Sequence, residues 1–554
     1  MPESMIEPYV PDPETREAAA EAAAAAAATA ESERRASRRR FFAMGAALAA
    51  ASTAGASTAA AQGTGTQTGK SSAVRGMVKK LLGTSPDPAF DPFRKQTIST
   101  KGWDSALTRL VRRVTNGATE EEMKLAQKLG FYGYLNYHLQ PAKIEDGQAQ
   151  SWVGQNAPLL NSGPDALYNL DQRIPEDQLI IAAIYRAAFS KRQLEQRVVE
   201  LWSDHFNIEW AKVRYLKLID DREVVRKYAL GKFPELLKAS AHSPAMLEYL
   251  DNTRNRRTTL NENYAREIME LHTVGVNGGY TQVDVRELAR CLTGWTLQGR
   301  GTFAFDPNGH DFTEKTVWGN KIAAMPASAG AAGVADGDTM INFLVAHQKT
   351  GEFVGYKMMR YLLQYDPSAA QIAAVASVYK KTGGDIPSMV RAILTPTNLL
   401  ATTPKYKRPY TYLLGAMRAT LNPAQVAKLD ALAFRYLPLL GQGMFEWSPP
   451  DGYPDRADYW AGGVLQRWNF ATYITTTTSA EASMDLPRFW NAQAPGANSA
   501  DTVLDGISRH LFGGEMPDTL KAQLRSYLVA QNLTVSRARE AIALALSSAT
   551  YNWI

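Results

Sequence analysis

The chain has 554 residues, 45% hydrophobic and 21% charged, which is the balance of a globular protein long enough to bury one large core or two moderate ones. A single cysteine, Cys291, excludes an internal disulfide, so packing alone must hold the fold together. The formal charge of +6 is mild, no run is basic enough for nucleic acid, and beyond residue 61 no stretch of eighteen or more apolar residues offers a membrane span.

Residues 1–36 are rich in Ala and Glu and are expected to form a disordered extension. Ser37-Arg38-Arg39-Arg40-Phe41-Phe42 then gives adjacent arginines followed by bulky apolar residues, and Ala43 to Ala56 is weakly apolar and uncharged. That is the pattern of a twin-arginine export signal spanning residues 37–61, with cleavage expected near Gln62 after Ala59-Ala60-Ala61. It predicts a periplasmic or secreted protein. The route carries folded passengers, often with a cofactor already inserted, which raises the expectation of a bound divalent metal or redox group. Residues 62–100 are expected to be a flexible lead-in.

From residue 101 to 554 helix signals dominate, with apolar residues three and four apart and capping boxes predicted at Thr119 with Glu122 and Thr259 with Glu262. Alternating runs are scarce, so the predicted fold class is all-α: one large multi-helix globular domain with long connecting loops. Composition shifts at an Ala/Gly loop, 323–338, where two lobes could meet, and at a Pro/Gly/aromatic loop, 441–463.

On a helix read from Thr259 to Gly275, Glu262, Arg266 and Glu270 form a solvent ladder, whereas Glu267 and His272 project among apolar residues. On a helix from Leu194 to Phe206, His205 falls with Val198, Leu201 and Trp202, while Glu200, Asp204 and Asn207 fall opposite. Buried imidazoles and carboxylates need partners, which are each other, a metal or the backbone. His242 precedes Ser243-Pro244, an N-cap and first-turn pair, and His310-Asp311 follows the turn Asp306-Pro307-Asn308-Gly309. No Glu-x-x-His, His-Glu-x-x-His, Gly-x-Ser-x-Gly or phosphate-loop motif is present. Cys291 lies beside the apolar face of a helix from Asp284 to Thr293, which favours a structural role.

Several blocks carry a family likeness: Leu201-Trp202-Ser203-Asp204-His205-Phe206, His242-Ser243-Pro244, Asn261-Glu262-Asn263-Tyr264-Ala265-Arg266-Glu267, Glu270-Leu271-His272, Leu292-Thr293-Gly294-Trp295 and His310-Asp311. In this order they resemble the bacterial "domain of unknown function 1800" family, more weakly so through Lys407-Arg408-Pro409 to the C-terminal region. The resemblance implies an exported, mainly helical protein, often encoded beside a twin-arginine protein of the "domain of unknown function 1501" family, and so a partnership with it. The matched positions are His205, His242, Asn261, Asn263, Arg266, Glu267, His272, His310 and Asp311. The chain departs from the family pattern in the loop Trp447 to Pro454, where Trp447, Tyr453, Tyr459 and Trp460 offer either faces on which a sugar stacks or the packing that pins a connector.

Two functional readings follow. In the first, an exported enzyme holds a divalent metal on His205, His272, His310 and Glu267, with Glu267 and Asp311 catalytic and His242, Asn261, Asn263 and Arg266 supporting them. In the second, the protein is a non-catalytic helical scaffold for an exported partner or a surface polysaccharide, its polar motifs forming a hydrogen-bonded core.

Overall fold

A computed structural model describes residues 105–554 apart from 428, 430, 431 and 478–482. The extension, the export signal and the lead-in expected over residues 1–100 lie outside the described residues. The all-α expectation holds: helices dominate, and among the described residues the only sheets are two antiparallel two-stranded ones.

The helices that matter for the site are α1 (Ala106–Val114), α2 (Glu120–His138), α3 (Arg173–Phe189), α4 (Gln193–His205), α5 (Phe233–Ala241), α6 (Pro244–Tyr249), α7 (Asn263–Glu267) and α8 (Gln282–Cys291). After α8 come β1 (Trp295–Gln298) paired with β2 (Thr302–Phe305), and β3 (Lys315–Val317) paired with β4 (Asn320–Ile322). They are followed by α9 (Ala335–Ala346), α10 (Gln348–Leu362), α11 (Ala369–Thr382), α12 (Pro409–Thr420), α13 (Val464–Thr476), α14 (Ala500–Phe512), α15 (Asp518–Val529) and α16 (Val535–Ser547), with shorter helices between.

The starts of these helices follow local chemistry. Ser105, Thr119 and Thr534 accept a backbone N–H of the first turn, and full capping boxes form at Thr281 with Asp284, Ser368 with Gln371 and Ser499 with Thr502. The core centres on α12, in which every residue but Arg418 is buried, as expected of a helix that is apolar on all sides. It packs on α3, α13 and α14, while α13 lies along α16 and α10 along α11.

Some predicted starts differ. At Thr119 only half of the box forms, because the Glu122 carboxylate is drawn to the Tyr134 hydroxyl, 2.7 Å, and to Arg418, 3.0 Å. The box at Thr259 does not form: Thr259 bridges back to Arg256 in a tight turn, and the helix begins at Asn263. Ser243 turns its hydroxyl to Asp220 instead of capping α6. The Ala/Gly stretch at 323–338 is largely a 3-10 helix, Ala327–Val334, running into α9.

Candidate functional site

The C-terminal end of α4 has two faces. On one, His205 is buried beside His272, with ring centroids 6.0 Å apart, amid Trp202, Phe206, Phe233 and Phe353. His205 Nε2 meets the His272 carbonyl at 3.2 Å and so donates to it, leaving Nδ1 without a partner, as is His272 Nε2. Burial, reinforced by the nearby Lys357 ammonium, pushes His272 down to about 3 and His205 well below the ordinary imidazole value, so both rings are neutral.

The expected metal set is not assembled. His310 lies elsewhere, fully buried between β2 and β3, with Nδ1 2.7 Å from the Thr293 carbonyl and Nε2 3.2 Å from Asp336 Oδ2. Lys315 Nζ donates to the same Asp336 oxygen at 2.7 Å. Asp311 pairs with Arg290 at 2.8 Å, and although burial pushes its carboxyl up, the hydrogen bonds from Arg290 and Thr313 bring it down to about 2. It is therefore a loop-pinning group rather than part of the histidine site. His242 stacks on Trp295 at 4.6 Å and pairs with Asp338 at 3.2 Å. Among the described residues no three His, Cys, Asp or Glu side chains gather so as to hold a metal ion. The His205–His272 pair stops at two nitrogen donors walled by aromatic rings, and Lys357 acts against any added cation.

Glu267 stands at the junction where α7 gives way to a π-helical turn, Ile268–His272, a distortion frequent at functional sites. It is half-buried rather than enclosed, because Leu260 precedes the helix and Leu271, in the π turn, is itself only half-buried. Glu267 has no hydrogen-bond or ion-pair partner among the described residues, whereas its neighbours Glu262 and Glu270 both pair with Arg266, as predicted. Burial, with the charges of Glu270 and Asp451, raises the Glu267 carboxyl to about 7.

Two asparagines position it. Asn261 Oδ1 accepts the Asn263 N–H at 3.0 Å, and Asn263 Nδ2 donates to the Leu250 carbonyl at 3.2 Å, tying the start of α7 to the end of α6.

The loop 441–456 covers the other face of α4. Asn207 Nδ2 donates to the carbonyls of Trp447 and Pro449 at 2.7 and 2.8 Å, and the Tyr249 hydroxyl donates to that of Ser448. Gly452, at φ +76°, lies so close to α4 that a Cβ there would sit 2.3 Å from the Asp204 carbonyl. Glu200, Asp204 and Asn207 are consequently not on a solvent face. Arg408 binds Asp204 at 2.6 Å, Arg197 and Tyr361 bind Glu200 at 3.1 and 2.6 Å, and a cavity of about 60 Å³, room for about two waters, is lined by Glu200, Ser203, Asp221 and Tyr453.

Lys357 on α10 was not singled out by the sequence. It is half-buried, has no hydrogen-bond or ion-pair partner among the described residues, and feels the charges of Asp204, Asp451 and Asp455. Burial nevertheless lowers its pKa. These acids are engaged elsewhere: Asp204 with Arg408, Asp455 with Lys405 and Asp451 with the Trp447 indole N–H.

The fold is that of a helical protein in which Glu267 and Lys357 have no hydrogen-bond or ion-pair partner among the described residues and both feel the charge of Asp451 on a pinned aromatic loop. The chain belongs to the family described as "Protein of unknown function (DUF1800)", whose model matches residues 109–553. No curated protein and no solved structure is significantly similar to it.

Proposed function

We propose that this chain is an exported enzyme that works by general acid–base catalysis, with Glu267 as the proton-transfer group and Lys357 as the cation that steadies negative charge in the substrate. The observation that supports it is Glu267 itself: a half-exposed carboxyl with no partner among the described residues, poised at about 7, where a proton can be both given and taken at neutral pH. A carboxyl with a purely structural role would be hydrogen-bonded, as Glu122 and Asp311 are. The adjacent arginines and weakly apolar stretch within residues 37–61, the pattern of a twin-arginine signal, support an exported location.

The test is a panel of chromogenic esters, phosphates, glycosides and peptides offered to the mature protein and to Glu267→Gln. The expected result is turnover of one class, lower by at least about 100-fold in the variant. Turnover of none, or turnover indifferent to Glu267→Gln, refutes the reading.

A scaffold is the second reading, favoured by one observation: the His205–His272 pair is enclosed by aromatic rings. It predicts that His205→Ala and Glu267→Gln alter stability and partner binding alone.

A further inference from the structure

A second cavity, of about 570 Å³, opens between α9, α10 and α11 and is lined by neither α7 nor the loop 441–456. Its volume lies within the range of about 300–1,000 Å³ that takes a small molecule. The floor is apolar. Tyr379 is buried there and spends its hydroxyl on the Val345 carbonyl at 2.8 Å, so the ring has no polar demand left. Gly351 lets α10 approach it closely, since a Cβ there would stand 3.0 Å from Tyr379 Cδ1. Pro234, Val345, Ala373 and Ala376 extend the apolar surface.

The unspent polar groups at this cavity are mostly donors. His347 caps α10, its Nδ1 accepting the Lys349 backbone N–H at 3.2 Å. A ring nitrogen that accepts carries no proton, so the neutral imidazole holds its proton on Nε2 and can donate from there. Burial and the Lys349 ammonium push His347 below the ordinary imidazole value, which keeps it in that form. Its ring is stacked on Trp318, with centroids 4.3 Å apart. Ser377 and Lys380, both exposed, have no hydrogen-bond or ion-pair partner among the described residues, and neither has His347 Nε2. The carboxylate at the cavity is already engaged: Glu352 takes Lys349 Nζ at 2.9 Å on one oxygen and Gln348 Nε2 at 2.8 Å on the other.

Three available donors, one of them a cation, stand over an apolar floor with no uncommitted carboxylate beside them. That pairing suits a molecule apolar at one end and anionic at the other, because the charge meets hydrogen-bond donors and the carbon surface leaves water. We propose that this cavity binds a small amphipathic carboxylate, its apolar part on Tyr379 and its oxygens held by His347, Ser377 and Lys380. The site stands whether or not Glu267 transfers protons.

The experiment is calorimetric titration of the mature protein at neutral pH with octanoate, and with octanol and octylammonium as its neutral and cationic counterparts. Octanoate is expected to bind once per chain, about tenfold or more tighter than either counterpart, in the range of hydrogen bonds to a charged group. Lys380→Glu, at an exposed position, and His347→Asn, which keeps a good N-cap, should each weaken octanoate by about three- to tenfold and leave octanol unchanged. Lys380→Glu carries this test alone should His347→Asn not fold. Ala373→Trp, also at an exposed position, should fill the floor and remove octanoate binding. The proposal is overturned if octanoate does not bind, binds no tighter than octylammonium, or binds Ala373→Trp as it binds wild type. Octanoate affinity unchanged in Lys380→Glu and in every folded His347→Asn preparation overturns it equally.

Discussion

Replacing Asp336 by Asn tests whether the buried charges around His310 are structural. Asp336 Oδ2 is shared by Lys315 Nζ at 2.7 Å and His310 Nε2 at 3.2 Å, and all three side chains are almost completely enclosed. In Asp336→Asn the Lys315 ammonium keeps the Thr313 carbonyl at 3.0 Å but loses its counter-charge. Removing one partner of a buried ion pair costs about 3–5 kcal/mol. For a folded region of about 450 residues, unfolding entropy near 60 °C is about 0.9 kcal/mol per degree, so Tm should fall by about 3–5 °C.

Charge can be separated from packing by adding Lys315→Met. The double variant should recover at least about 1 kcal/mol, because the stranded ammonium is gone. Burial pushes the Asp336 carboxyl up, yet the hydrogen bonds from His310 and Lys315 hold it below the ordinary value. Its stabilisation is therefore complete above about pH 4 and lost as pH falls through the lower folded value. Thermal melts at pH 5 and 7 should show the same deficit in the variant. A loss below about 1 °C, or no recovery with Lys315→Met, would refute this account.

Further outcomes follow from the same geometry. Glu267 is raised to about 7 when folded against about 4.3 unfolded, so it costs stability as pH rises through that window. Glu267→Gln should therefore melt higher than wild type at pH 8 but not at pH 4, by about 1 kcal/mol or less once solvent screening is counted. Adding zinc should leave the Tm unchanged, and His205→Ala with His272→Ala should not alter the metal content of the purified protein. Cys291 is fully buried and burial pushes its thiol up to about 12, so a thiol reagent should label it only after unfolding. Gly452→Ala should lift the loop off α4 and destabilise by about 1–3 kcal/mol, measured by urea unfolding.

Much of the fold was legible wherever short-range chemistry decides. The helix predicted over Leu194 to Phe206 runs from Gln193 to His205, His205 and His272 are buried, and the Glu262–Arg266–Glu270 ladder is present. The helical wheel failed at Glu267 because the helix starts at Asn263 and continues as a π turn, which winds less per residue than the assumed 100°. Glu200, Asp204 and Asn207 read as solvent-facing because what covers them, Arg408 and the loop 441–456, lies some two hundred residues away. Lys357 gave no local signal for the same reason, since the acids around it come from α4 and the distant loop. His310 belonged to a family block, but its partners Asp336 and Lys315 make that block a structural knot.

Residues 249–251 hold both the aromatic loop and the start of α7: the Tyr249 hydroxyl donates to the Ser448 carbonyl, and the Leu250 and Asp251 carbonyls accept Asn263 Nδ2 and Asn261 Nδ2. An opening that breaks the hydrogen bond from Tyr249 to Ser448 strains the chain segment whose carbonyls hold Asn261 and Asn263, so the loop and the first turn of α7 should open as one cooperative unit. In amide hydrogen exchange the protected N–H groups of the two segments would then exchange with a common free energy, and Tyr249→Phe would lower both together. The aromatic faces and the carboxyl would thus be present together or absent together, which makes their relative placement a property of a single equilibrium.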